Sequence, residues 1–104
     1  MEIKKILEEF KREIKRLYGK KLKKVILYGS YARGDATKDS DIDLLIVLKG
    51  NIVPGEEIDR MIDIITEINL KYGVLLSVYP ISENDYFTLN SPLLINVRKE
   101  GVLL

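Results

Sequence analysis

Two aspartates two positions apart, Asp41 and Asp43, stand at the head of an apolar run made by Ile42 and the residues from Leu44 to Leu48. In a β-strand, residues i and i+2 share a face, so both carboxylates would point the same way. Like charges held this close repel, and burying them is costly until a cation neutralises them. The chain has no histidine and no cysteine. That removes imidazole acid–base chemistry, thiolate ligands and disulfides. Any bound metal must then be held by oxygen, which suits magnesium or manganese. Upstream, Gly29-Ser30 follows directly on the apolar run Val25 to Tyr28. Glycine admits close approach to the backbone, and a helix opening there offers N–H groups to a phosphate. Arg33, one turn on, adds a cation suited to phosphate or carboxylate. A phosphate cradle and an acid pair on two strands joined by one short loop make a nucleoside-triphosphate site. Its chemistry would be metal-assisted in-line displacement at phosphorus.

Each part has a plainer explanation. Gly29-Ser30 fits an ordinary strand-to-helix turn. Arg33 can pair with Asp35 or Asp39 on the surface, Asp41 can merely begin a strand, and the triplet Arg33-Gly34-Asp35 is read as chance. Asp43 is hardest to explain away, because it lies inside an otherwise apolar strand.

The elements that must position these residues follow from periodicity. Glu2 to Tyr18 reads as a helix with Ile3, Ile6, Leu7, Phe10, Ile14 and Leu17 on one face. Gly19 ends it and Lys20 to Lys24 is a basic link. The basic residues between Lys11 and Lys24 are either a solvated face and loop or a phosphate-binding patch near the Gly-Ser turn. Val25 to Tyr28 is a buried strand. Tyr31 to Arg33 is a helical turn with Ser30 as its N-cap, and Gly34 to Ser40 is a polar loop. Asp41 to Lys49 is the second strand. A helix from Glu56 to Tyr72 follows the turn Gly50 to Gly55, burying Ile58, Met61, Ile62, Ile65 and Ile68. Val74 to Ile81 is a third strand closed off by Pro80. Ser82 caps a short helix, and Ser91-Pro92 opens a last one that Gly101 stops. The apolar residues Val102 to Leu104 are expected to pack back on the core; a contact with a second subunit stays open. This order implies an α/β (α+β) fold, a small mixed sheet with helices packed mainly on one side.

With 104 residues and a net charge of +1, the expectation is one domain, residues 1–104, with no bulk attraction to nucleic acid. The Lys11 to Lys24 stretch also lacks the aromatic interleaving of a single-strand binder. No apolar run reaches membrane-span length, and the first residues read as an amphipathic helix, not a signal peptide. A cytoplasmic protein is expected. Abundant Lys, Glu and Ile with short loops suggest a thermophile.

Gly29-Ser30-Tyr31-Ala32-Arg33-Gly34, followed by Ser40-Asp41-Ile42-Asp43-Leu44, resembles the signature of the DNA polymerase beta nucleotidyltransferase superfamily, in its minimal branch. The resemblance implies that Gly29 and Ser30 contact the triphosphate of an NTP, ATP foremost, and that Asp41 and Asp43 bind magnesium. It also implies a helical partner of the HEPN type in a toxin–antitoxin pair, with AMP transferred to a partner tyrosine. Active members usually carry a third carboxylate on a neighbouring strand. Here that strand, Val74 to Ile81, has no acid; Ser77 stands where it would be expected, and Glu83 and Asp85 are the nearest substitutes in sequence. Two functions therefore stay open: transfer of NMP to a hydroxyl on a partner, or a catalytically weakened module that neutralises its partner by binding alone.

Overall fold

The structure, a computed structural model, describes residues 3–104. Its elements are helix α1 (Ile3–Tyr18), a 3-10 turn (Gly19–Lys21), strand β1 (Leu22–Tyr28), helix α2 (Ser30–Arg33) and strand β2 (Ile42–Leu48). Helix α3 (Pro54–Tyr72), strand β3 (Leu76–Ser82), helices α4 (Glu83–Thr88) and α5 (Pro92–Glu100) and strand β4 (Val102–Leu103) follow. Glu2, the expected start of the first helix, lies outside the described residues.

The strands form one mixed sheet in the order β3-β2-β1-β4. β1 runs antiparallel to both β2 and β4, and β2 runs parallel to β3. Parallel pairing needs a crossover, which α3 provides. β2 is central, and Leu44, Leu45, Ile46, Val47 and Leu48 are all fully buried. Its even-numbered residues Ile42, Leu44, Ile46 and Leu48 join the larger core, with Phe10 and Ile14 of α1 and Met61 and Ile68 of α3. Leu45 and Val47 face the other way, into a smaller core with Ile26, Ile81 and Leu94 and Val97 of α5. The two long helices thus cover one face, and α5 covers part of the other. An apolar run in β2 without polar alternation is what burial on both faces demands. Among the described residues no helix is long and apolar enough to cross a membrane.

Several boundaries differ from expectation for physical reasons. β1 begins at Leu22, three residues before the apolar run, because Lys23 and Lys24 extend the strand with partly or fully exposed side chains past a register irregularity. Pro80 does not close β3 but sits within it opposite Ile46; an edge strand tolerates the missing N–H. β4 was not foreseen. Val102 and Leu103 keep their side chains exposed and dock by backbone pairing to Leu27 and Ile26. Leu104 reaches the larger core, and its N–H donates to the Val25 carbonyl at 2.9 Å. Ser82 and Ser91 cap α4 and α5 as expected, their hydroxyls accepting from the N–H of Asp85 (3.1 Å) and Leu94 (3.3 Å).

In α3 the expected stripe shifts. Ile62 is 46% exposed, whereas Glu57 is buried at 5%. Tyr18 Oη donates to Glu57 Oε1 at 2.8 Å, and Arg60 Nε lies 3.4 Å from the same oxygen. Burial, and then the bond to Glu57, push the Tyr18 phenol up, so it stays a donor. Tyr18→Phe removes the hydrogen bond to the buried Glu57 carboxylate, leaving the Arg60 contact, and is expected to destabilise the protein by about 1–3 kcal/mol in urea denaturation. Tyr18→Phe/Glu57→Leu, which removes both polar partners, is expected to recover most of that loss.

Candidate active site

β1 ends at Tyr28, and the chain turns at Gly29 with φ 75° and ψ −156°. Only glycine adopts this backbone region readily. A Cβ at Gly29 would overlap Oδ2 of Asp43 and lie 3.0 Å from its Cγ. The turn and the carboxylate therefore lie directly against each other, and the absence of a side chain at Gly29 is what makes room for Asp43.

Ser30 does not cap α2. Gly29 occupies the cap position and no side chain caps the helix; Ser30 is its first residue. The reason is the turn itself: the Gly29 carbonyl already accepts from Ala32 N–H (3.1 Å) and Arg33 N–H (3.0 Å). The N–H groups of Ser30 and Tyr31, at the first two helical positions, have no intrahelical acceptor. Gly34, left-handed at φ 84°, ends the helix, and Ser30's carbonyl accepts from Gly34 and Asp35 N–H at 3.0 Å. The loop to β2 is tied by Thr37 N–H to Ser40 Oγ (2.9 Å) and Ser40 N–H to Thr37 O (3.1 Å).

Asp41 lies one residue before β2 and is exposed; Asp43 is within the strand and partly buried. Across the sheet Asp43 is in register with Tyr28 of β1 on one side and Ser77 of β3 on the other. Burial, then the charge of Asp41, push the Asp43 carboxyl up, while Arg33 pulls it down. Burial, then Asp43 and Tyr79, push the Tyr28 phenol up. The carboxylates thus repel at close range, the condition a divalent cation relieves. An all-oxygen donor set with two acids fits magnesium or manganese, with phosphate oxygens completing the coordination.

Arg33 meets the alternative foreseen for it, and more. Its Nε lies 3.1 Å from Asp35 Oδ2 and its Nη1 3.2 Å from Glu100 Oε1. Asp39 is not its partner; Asp39 N–H donates to Thr37 Oγ1 at 3.3 Å. Glu100 and Tyr28 were missed as neighbours of the site. Tyr28 could have been found by pairing the two strands as a hairpin, whereas nothing in the sequence links Glu100 to Arg33 across 67 positions.

By register Ser77 stands opposite Asp43, and its side chain is exposed. Glu83 and Asp85 cannot stand in as a third acid. β3 runs parallel to β2 with Ser77 opposite Asp43 and Ser82 opposite Leu48. At about 3.3 Å per residue, the end of β3 lies about 16 Å from Asp43, and Glu83 and Asp85 follow it in α4. The basic residues Lys11, Lys15, Lys23 and Lys24 line a groove of about 260 Å³ with Leu22 and Leu103. It sits where β1 begins, at the other end of the strand from Gly29-Ser30, so it lies apart from that turn.

Comparison with known proteins agrees with this geometry. The family described as a nucleotidyltransferase domain matches residues 3–103. A Methanocaldococcus jannaschii protein provisionally named protein adenylyltransferase MJ0604 is 42% identical over 101 residues, covering 96% of this chain and 95% of that one. A second from the same organism, MJ0141, named likewise, is 44% identical over 77 residues, 74% of this chain and 77% of the other. Among solved structures, a toxin–antitoxin crystal structure with AMP-PNP superposes with a TM-score of 0.65 at 17% identity, over 92% of this chain and 70% of that one; the likeness is one of fold.

Proposed function

Because the chain belongs to the nucleotidyltransferase domain family, we propose that it is a metal-dependent protein adenylyltransferase. In this reading residues 1–104 act as one cytoplasmic catalytic domain that binds ATP with magnesium or manganese and modifies a hydroxyl of a HEPN-type partner, in the manner of an antitoxin. The observation that carries it is the close fit of the Gly29 turn against Asp43, whose carboxylate fills the space a Cβ at Gly29 would take. Relatives named protein adenylyltransferases support the acceptor class. The fold neighbour, a toxin–antitoxin with an ATP analogue, supports the nucleotide and the partner.

Each residue has a task. The N–H groups of Ser30 and Tyr31, with the Ser30 hydroxyl, receive the triphosphate where Gly29 lets it approach the backbone. Asp41 and Asp43 would hold the metal, whose contribution when bound is to neutralise the phosphates and polarise the α-phosphorus. Arg33 adds a fixed positive charge beside them. The acceptor hydroxyl gives its proton to water, its oxygen forms the new bond to the α-phosphorus, the bond from that phosphorus to the β-phosphate bridge breaks, and pyrophosphate leaves.

Titration calorimetry of ATP with magnesium or manganese tests the reading. Wild type is expected to bind only with metal present, because Asp41 and Asp43 otherwise repel the triphosphate. Asp41→Ala/Asp43→Ala is expected to lose binding. A wild type that binds no nucleotide with metal present overturns the proposal. A second reading is favoured by Ser77, which offers no carboxylate to take the acceptor's proton: a weakened fold that neutralises its partner by occupancy. Mass spectrometry of the HEPN-type partner after incubation with ATP separates the two. An AMP adduct supports the enzyme; an unmodified partner in a stable complex supports the module.

A further inference from the structure

Arg33 is carried on a four-residue helix and its side chain is 46% exposed. A long side chain there would ordinarily sample many rotamers. Instead two carboxylates take two of its three nitrogens, Asp35 at Nε and Glu100 at Nη1. Nη2 has no partner among the described residues. The two carboxylates are not equivalent. Asp35 sits in the loop just after α2 with its side chain 62% exposed, whereas that of Glu100 is 22% exposed. Glu100 is also anchored from behind. It is the last residue of α5 and precedes Gly101, where a Cβ would overlap the Val97 carbonyl and stand 2.8 Å from Ile26 Cγ2 of β1. Gly101 N–H donates to Val97 O at 2.7 Å, and β4 then pairs with β1. The strand that ends in the Gly29-Ser30 turn therefore also fixes the residue that grips Arg33.

From this geometry we infer that Glu100 is a positioning residue of the nucleotide site, holding the Arg33 guanidinium so that its remaining edge meets the phosphates of a bound nucleoside triphosphate. This rests on the nucleotide-binding reading proposed above. Glu100→Gln keeps shape and removes the ion pair; an exposed pair of this kind sets an effect of about fivefold on ATP affinity.

The test uses wild type, Glu100→Gln, Arg33→Ala and the double variant Arg33→Ala/Glu100→Gln. ATP with manganese is titrated into each by calorimetry, and the Arg33 Nε–H resonance is followed in nitrogen-15 spectra without nucleotide. Glu100→Gln is expected to weaken ATP binding, to shift or broaden the Nε–H signal, and to add nothing once Arg33 is alanine. A purely structural role for Glu100 would instead persist in the Arg33→Ala background, and that result overturns the inference. So does tighter ATP binding in Glu100→Gln, which would make Glu100 a competitor of the phosphates, or an affinity unchanged from wild type. If wild type binds no ATP, the nucleotide-binding reading falls and the inference with it, whereas a wild type that binds ATP alongside an unaltered Glu100→Gln removes the inference alone.

Discussion

Gly29→Ala is expected to destabilise the protein by about 3–5 kcal/mol and to abolish ATP binding, the sum of a forbidden backbone region and an overpacked contact. The torsional part comes from φ 75° with ψ −156°, which an L-residue reaches only under strain. The steric part comes from Asp43, whose Oδ2 occupies the place of the new methyl group. These parts are separable. Gly29→Ala/Asp43→Ala relieves the overlap but not the torsion, so it is expected to be more stable than Gly29→Ala alone and less stable than Asp43→Ala. Urea denaturation of the four proteins measures both. Equal stability of the single and double variants would show that the carboxylate is not what the methyl group meets.

Asp43→Asn is expected to move stability and activity in opposite directions. Under the proposed function, transfer is expected to fall about a thousandfold, because several kcal/mol of transition-state charge stabilisation would go with the proposed metal ligand. The melting temperature rises by about 2–5 °C, the scale of a fraction of a kcal/mol in a domain of this size. The sign follows from linkage. Burial and the Asp41 charge raise the folded-state pKa of Asp43 above its unfolded value. The folded protein therefore binds the proton more tightly, and the penalty is absent at pH values below the unfolded pKa. It sets in as pH rises through the folded pKa and is complete above it. Wild type is expected to lose stability over that window relative to Asp43→Asn, whose melting temperature lacks this contribution. A variant that is inactive but no more stable than wild type would show that the acids are not in repulsion.

The site and its strands were legible because their chemistry is local. The hairpin of β1 and β2 carries Gly29, Ser30, Arg33, Asp41 and Asp43 within fifteen positions, and a buried strand interrupted by an acid is conspicuous in any sequence. Features that depend on distant pairing were not legible. β4 docks through backbone groups while its side chains face out, so hydropathy carries no trace of it. Glu57 looks like one more surface acid on a charged helix until Tyr18, 39 positions away, is brought to its carboxylate. Ser30 reads as a cap from residue type alone, because the positive φ at Gly29 that displaces it is a property of the turn. Glu83 and Asp85 were separable from the site only once β3 was known to run parallel to β2.

The place of Ser77 in the sheet has a consequence for the stability of the fold. Asp43 is partly buried between two strands, against the Gly29 turn. Ser77 is opposite Asp43 yet on the outermost strand, with its side chain in water. Exposed positions of this kind accept substitutions within about half a kcal/mol. An acid there, however, would face Asp43 and share in the repulsion of the pair. A third carboxylate at this edge of the sheet would therefore come at a cost in stability at neutral pH, and a serine there spares the fold that cost.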